Sequence, residues 1–217
     1  NPDFCKKGSD HPSAKVYPLQ SASRHISMYD PASGKWTLIS TCFPTHHVMF
    51  AEDANQTLWV SSGVTGPGAF GWLNRKMYEE TGDEVKSQGW SPFILDTNGN
   101  GKRDEWVEPN QPVDPTKDKR VAVNFYSVAI SPVDGSIWGT NLGVPGYVVR
   151  VAPGSDPTHT AIAEIYEPPL PGYSPRGGDI DRNGVFWASL SSGHLGSFDR
   201  RKCKVLNGPT ATGKHCP

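Results

Sequence analysis

The chain has 217 residues, 35% hydrophobic and 20% charged, which is enough apolar material for one folded domain and unlike the composition of a disordered chain. A net charge of -1 gives no electrostatic grip on nucleic acid or an anionic membrane, and no run approaches the roughly 20 apolar residues of a membrane span. The 23 Gly, 20 Pro and 7 Trp favour many short strands joined by tight turns over a helical bundle.

Residues 1–23 carry Pro and Lys without periodicity and read as an N-terminal arm, with residues 24–217 as the folded body. From Ile26 to Ile39 apolar residues alternate on both sides of Asp30-Pro31-Ala32-Ser33-Gly34, the mark of a hairpin whose Gly34 takes a positive φ. A unit of apolar strand, polar turn and a second strand of the form apolar-Trp-small-Ser/Thr then occurs three times, in Phe50–Gly63, Ile130–Thr140 and Gly178–His194. Trp59 and Trp138 stand 79 positions apart but Trp138 and Trp187 only 49, so about thirty residues are added between the first two copies. The inserted segment is placed at about 64–120. Its best helix candidate is Asn74 to Gln88, weakened by Gly82. Its aromatics Phe70, Trp72, Tyr78 and Trp90 are expected to pack against the body; the alternative is an exposed platform for a carbohydrate or protein partner.

Tyr147–Val151 and Ala161–Tyr166 read as the outer strands of the middle copy, and Gly196–Cys203 parallels the first of them. A unit of ~45 residues with about four strands has the size of a propeller blade. The expected fold is therefore an all-β β-propeller with a long inserted loop. Three clear copies and a partial fourth are fewer than most closed propellers need, and the chain ends at Pro217 without a recognisable closing strand, so a partial propeller or fragment is expected.

The pattern Asp-x-x-Gly-x-apolar-Trp-x-Ser/Thr, followed by a Gly-x-apolar-x-apolar-Asp/Arg strand, resembles the blades of the streptogramin lyase (virginiamycin B lyase) superfamily and its NHL/SMP-30-like relatives. The resemblance runs from about Ile26 to Cys203, outside the insertion. It implies the propeller fold. In the lyases the blade strand commonly ends in Thr-Glu, whereas here the residues after Trp are Val-Ser-Ser, Gly-Thr-Asn and Ala-Ser-Leu, so the lyase's catalytic residues are not carried over.

Cys5, Cys42, Cys203 and Cys216 form no Cys-x-x-Cys pair, which disfavours zinc and thioredoxin-type chemistry. Pairing Cys5 with Cys42 and Cys203 with Cys216 ties each terminal arm to its nearest repeat and fits a secreted or periplasmic protein; four buried thiols are the alternative.

Two sites stand out. Asp96, Asn98, Asn100, the Lys102 carbonyl and Asp104 offer oxygen ligands at alternate positions, with Gly101 for the sharp turn, as in the first two thirds of an EF-hand or dockerin-type calcium loop. Val107 stands where the twelfth-position carboxylate belongs, leaving Glu105 or Glu108 to close the site. Bound Ca2+ would pin a long loop that has no core of its own, and a solvated acidic turn is the alternative.

The second site comes from aligning the copies on Phe50, Ile130 and Ile180: four residues earlier stand His46, Tyr126 and Arg176, at the start of strands that line a propeller's central channel. The ends of the second strands return to that face, bringing Ser61, Ser62, Thr140, Asn141, Ser192 and His194. His46, Tyr126, Arg176 and His194 are of the types that serve as general base, proton donor and anion clamp, and they also suit a sugar or other small-molecule ligand. A channel mouth of ordinary polar side chains is the alternative. Two functions follow: a lyase- or hydrolase-like enzyme at this mouth, or a non-catalytic binding or structural propeller in an extracellular or cell-surface assembly. Convergence of the four residues around one pocket would mark the first, and their dispersal the second.

Overall fold

A computed structural model describes residues 2–22, 25–64, 66–206 and 216. The N-terminal arm is folded rather than loose. It carries a short helix, α1 (Pro12–Val16), and seats Cys5, Ala14 and Leu19 in the core. The helix starts at His11, whose Nδ1 accepts the Ser13 N–H at 3.1 Å, and Pro12 lies where no intrahelical N–H is needed.

Strands β1 (Ile26–Asp30) and β2 (Lys35–Ile39) form the expected hairpin. Gly34 has φ +69°, and the Asp30 carboxylate accepts the Ala32 N–H and the Ser33 hydroxyl, so the turn chemistry is local. Next come β3 (Val48–Phe50), β4 (Thr57–Val60), β5 (Ala69–Asn74) and β6 (Gln88–Pro92), a four-stranded antiparallel sheet in sequential order. Helix α2 (Arg75–Thr81) bridges β5 and β6, capped by the Asn74 side chain and stopped by Gly82 at φ +65°.

This sheet corrects the expected insertion. Residues 69–92 supply the outer strands of the first blade, and the true addition begins near residue 93. The strands were hidden because both faces of the sheet are covered, which erases the period-two alternation that exposes a strand to sequence reading.

The addition holds three short strands, β7 (Ile94–Leu95), β8 (Trp106–Val107) and β9 (Asp118–Arg120). The second blade is β10 (Ala129–Ile130), β11 (Ile137–Asn141), β12 (Tyr147–Ala152) and, after helix α3 (Pro157–Thr160), β13 (Ile162–Tyr166). Strand β7 pairs in parallel with β13, so the addition extends this blade into a seven-stranded sheet. The last sheet is β14 (Pro175–Ile180), β15 (Phe186–Leu190) and β16 (Leu195–Phe198).

The sheets stack face to face in chain order. Between the arm with its hairpin and the first blade lie Ile39, Phe43, Val60 and Trp90; between first and second, Trp59, Phe70, Phe93 and Phe125; between second and third, Trp138, Tyr166 and Phe186. Sequential antiparallel sheets stacked through their faces are β-propeller blades. Among the described residues, no strand of the last sheet pairs with the first hairpin.

The aromatics Phe70, Trp90 and Tyr78 are buried and Trp72 is half-buried, so the packing expectation is met. An ion cluster centred on buried Arg150 and Glu164 links the second blade to the segment after β16: Arg150 bridges Glu164 and Asp134, each at 2.8 Å, and Arg200 holds Glu164 at 2.6 Å. Burial opposes the charge of Asp134, but hydrogen bonds from Ser136 and Arg150 hold its carboxyl far below the usual range. Cys5–Cys42 and Cys203–Cys216 are both disulfides, the pairing expected.

Candidate functional site

The three inner strands have equivalent registers: Phe50 faces Leu58, Ile130 faces Ile137 and Ile180 faces Phe186. At one end, Phe50, Ile130 and Ile180 line a shared cavity of about 700 Å³ with Met49, Trp59 and Trp72. At the other end the blades are tied by hydroxyls two residues beyond the repeated Trp. Ser61 Oγ donates to the Tyr126 carbonyl at 3.0 Å, and Thr140 Oγ1 donates to the Arg176 carbonyl. The small-Ser/Thr ending of the repeat is thus a blade-to-blade link, a role that sequence reading did not assign.

His46 and Tyr126 are brought together at this mouth. Their ring centroids are 5.0 Å apart, and His47 joins them at 4.3 Å from His46 and 5.6 Å from Tyr126. Burial, and then the neighbouring His46, hold the His47 imidazole below its ordinary range. Arg176 follows one blade on, with its Nε donating to Ser191 Oγ at 3.2 Å. His194 is placed elsewhere. It pairs with Ser192 at 3.0 Å and lines a cavity of about 430 Å³ with Tyr166, Leu170 and Leu190. His46 lines a different cavity, of about 750 Å³, with Tyr29, Val48 and Tyr78, and the two share no residue. His46 and Tyr126 therefore meet, while the side chains of Arg176 and His194 bond to Ser191 and Ser192 of the third blade.

The acidic loop lies between β7 and β8. Asp96 accepts backbone N–H groups from Gly99, Asn100 and Gly101 at 2.8, 3.1 and 2.8 Å, which wraps the chain around its carboxylate. The amide nitrogens of Asn98 and Asn100 both donate to Asp104 Oδ2, at 2.8 and 2.6 Å. Glu105 and Glu108, the closing ligands expected from spacing, are turned to other partners: Glu105 to Lys117 at 3.0 Å, and Glu108 to Arg120 at 2.6 Å.

A carboxylate not singled out in the sequence stands against the loop instead. Asp118 on β9 is fully buried; its Oδ2 accepts the Asp104 N–H at 2.8 Å, and its Oδ1 has no hydrogen-bond partner. Burial, opposed by that N–H and by the nearby Thr97 N–H and reinforced by Asp96 and Asp104, pushes its carboxyl up to about 6. Arg103, which also senses Asp118, gives its Nη1 to Ser91 at 2.6 Å and packs over Trp106.

The donor set of Asp96, Asn98, Asn100, Asp104 and the Lys102 carbonyl is all oxygen, and an orphaned buried carboxylate oxygen lies behind it, which fits a hard divalent cation. As placed, the two Asn amides occupy Asp104, and no three His, Cys, Asp or Glu side chains among the described residues stand at metal-binding spacing. Loading would require those amides to turn their oxygens inward.

The stacked blades define a chain of the β-propeller class. No family model and no curated protein matches it. Among solved structures, it is similar to a streptogramin B lyase, at 16% identity and a TM-score of 0.45 over 82% of this chain and 48% of that one. It is similar to the virginiamycin B lyase of Staphylococcus aureus at 11% identity and 0.34, covering 81% and 62%. It is also similar to PorZ, an essential bacterial surface component of the type-IX secretion system of Porphyromonas gingivalis, at 15% and 0.46, covering 86% and 23%. The chain spans less than two thirds of the length of each. The streptogramin-lyase likeness read from the repeat thus recurs among solved structures, and it concerns the fold.

Proposed function

We propose that this chain is a calcium-binding β-propeller module of an exported protein, with a non-catalytic binding or structural role. The observation that carries the non-catalytic part is dispersal: His46 meets Tyr126, while Arg176 is engaged with Ser191 and His194 lines a separate cavity. Acid–base catalysis needs its groups within hydrogen-bond reach of one substrate atom or of one another. Export is supported by two disulfides, which persist in oxidising compartments; among the described residues no helix is long and apolar enough to cross a membrane.

Asp96, Asn98, Asn100, Asp104 and the Lys102 carbonyl would hold the calcium. When bound, it would supply the positive charge that the carboxylates of Asp96 and Asp104 can share and would rigidify the turn between β7 and β8. Thermal unfolding with calcium and with a chelator tests this reading. Calcium is expected to raise the midpoint for the native chain and not for Asp96→Ala; an unchanged native midpoint contradicts it.

The cluster of His46, His47 and Tyr126 favours one second reading, a lyase- or hydrolase-like site at the channel mouth. Turnover in a panel of esters and glycosides that drops about a hundredfold in His46→Ala would support it.

A further inference from the structure

The calcium reading leaves one position of the coordination sphere unassigned, since neither Glu105 nor Glu108 faces the loop. We infer that Asp118 closes the site from the neighbouring strand, its free carboxylate oxygen serving as the ligand that an EF-hand takes from its twelfth position. The inference rests on that calcium reading and names a residue 14 positions beyond Asp104.

Geometry carries it. The start of strand β9 is tied to the loop by two bonds: Thr97 Oγ1 donates to the Lys117 carbonyl at 2.9 Å, and the Asp118 N–H donates to the Glu105 carbonyl at 2.9 Å. In register, Asp118 pairs with Trp106. Its side chain therefore lies against the loop at Asp104, with Oδ2 already on the Asp104 N–H. A carboxylate with no solvent exposure and an unsatisfied oxygen is costly unless a donor or cation meets it. The Arg103 charge reaches Asp118, but its hydrogen bond goes to Ser91 and its guanidinium lies over Trp106, and Lys117 is paired with Glu105, so neither gives the free oxygen a donor. The lone pair that remains belongs to a hard-cation ligand. Taking this oxygen from a separate strand also explains how Val107 can occupy the twelfth position.

The experiment is calcium titration by calorimetry on the disulfide-bonded chain after dialysis against chelator, for the native protein, Asp96→Asn and Asp118→Asn, with thermal unfolding of each in chelator. Asp118→Asn keeps shape and removes charge. It is expected to weaken calcium at least tenfold and, in chelator, to unfold at the same or a higher temperature than the native chain. Equal calcium affinity in Asp118→Asn, or a lower unfolding temperature in chelator, overturns the assignment. Calcium binding lost in Asp96→Asn but kept in Asp118→Asn leaves the loop a calcium site and removes Asp118 from it. No calcium uptake by the native chain overturns the calcium reading itself, and Asp118's role with it.

Discussion

The interface between the second and third blades and the loop that ends at Asp118 lie in the same molecule and are held by opposite means. The interface is self-sufficient: Trp138, Tyr166 and Phe186 are buried together, with the Trp138 and Phe186 rings stacked 5.5 Å apart, and the carboxylate buried beside them, Glu164, is already matched by Arg150 and Arg200. The loop is polar. Asp96 is wrapped by three backbone N–H groups, Asp104 is held by two amides, and Asp118 is buried with one oxygen unanswered. Apolar surface needs only a neighbouring blade, whereas buried like charges need a counter-charge.

The largest effect that sharpens this contrast is in the apolar half. Trp138→Ala should cost ~3–5 kcal/mol in denaturant unfolding, because it empties a filled interface. Next, calcium at a hundredfold above its Kd should add about 2.7 kcal/mol to the native chain and nothing to Asp96→Ala.

The third effect is pH-dependent and lies in the arm. Burial, partly offset by hydrogen bonds to the Val85 and Gln88 carbonyls, holds the His11 imidazole below its usual range. Its neutral form accepts the Ser13 N–H, and a proton on Nδ1 would remove that acceptor. The lowered pKa means that the unfolded chain takes up the proton first as pH falls below about 6.5. The His11 contribution is complete above that pH and declines below it. The unfolding midpoint of the native chain should thus fall more steeply between pH 7 and 5 than that of His11→Gln; parallel curves would contradict the assignment.

The smallest effect breaks the repeat's apparent equivalence. Trp187 holds the same repeat position as Trp138, but it lies on the outer face of the third blade and is 42% exposed. Trp187→Ala should cost about 1 kcal/mol, well under the loss at Trp138.

These contrasts also explain what the sequence revealed. The blades were legible because the turn residues and the Trp positions recur, and because Gly34 marks the first hairpin. Strands β5 and β6 were not, since a sheet covered on both faces loses its alternation and resembles an inserted segment. The tight turn from Asp96 to Asp104 was legible through local spacing, and it forms around the Asp96 carboxylate. Asp118 was invisible because its place is set by the pairing of β8 with β9, which no local pattern records. The channel mouth was half legible: inner-strand register brought His46 to Tyr126, but the turn after Leu190 sends His194 to another cavity.

Hydrogen exchange measured with calcium and with chelator tests the central claim most directly, because it reads the two regions in one experiment. Slowed exchange in residues 96–118 upon adding calcium, with the strands around Trp138 and Phe186 protected in both conditions, is the predicted result. Exchange in the loop that does not respond to calcium would contradict the account.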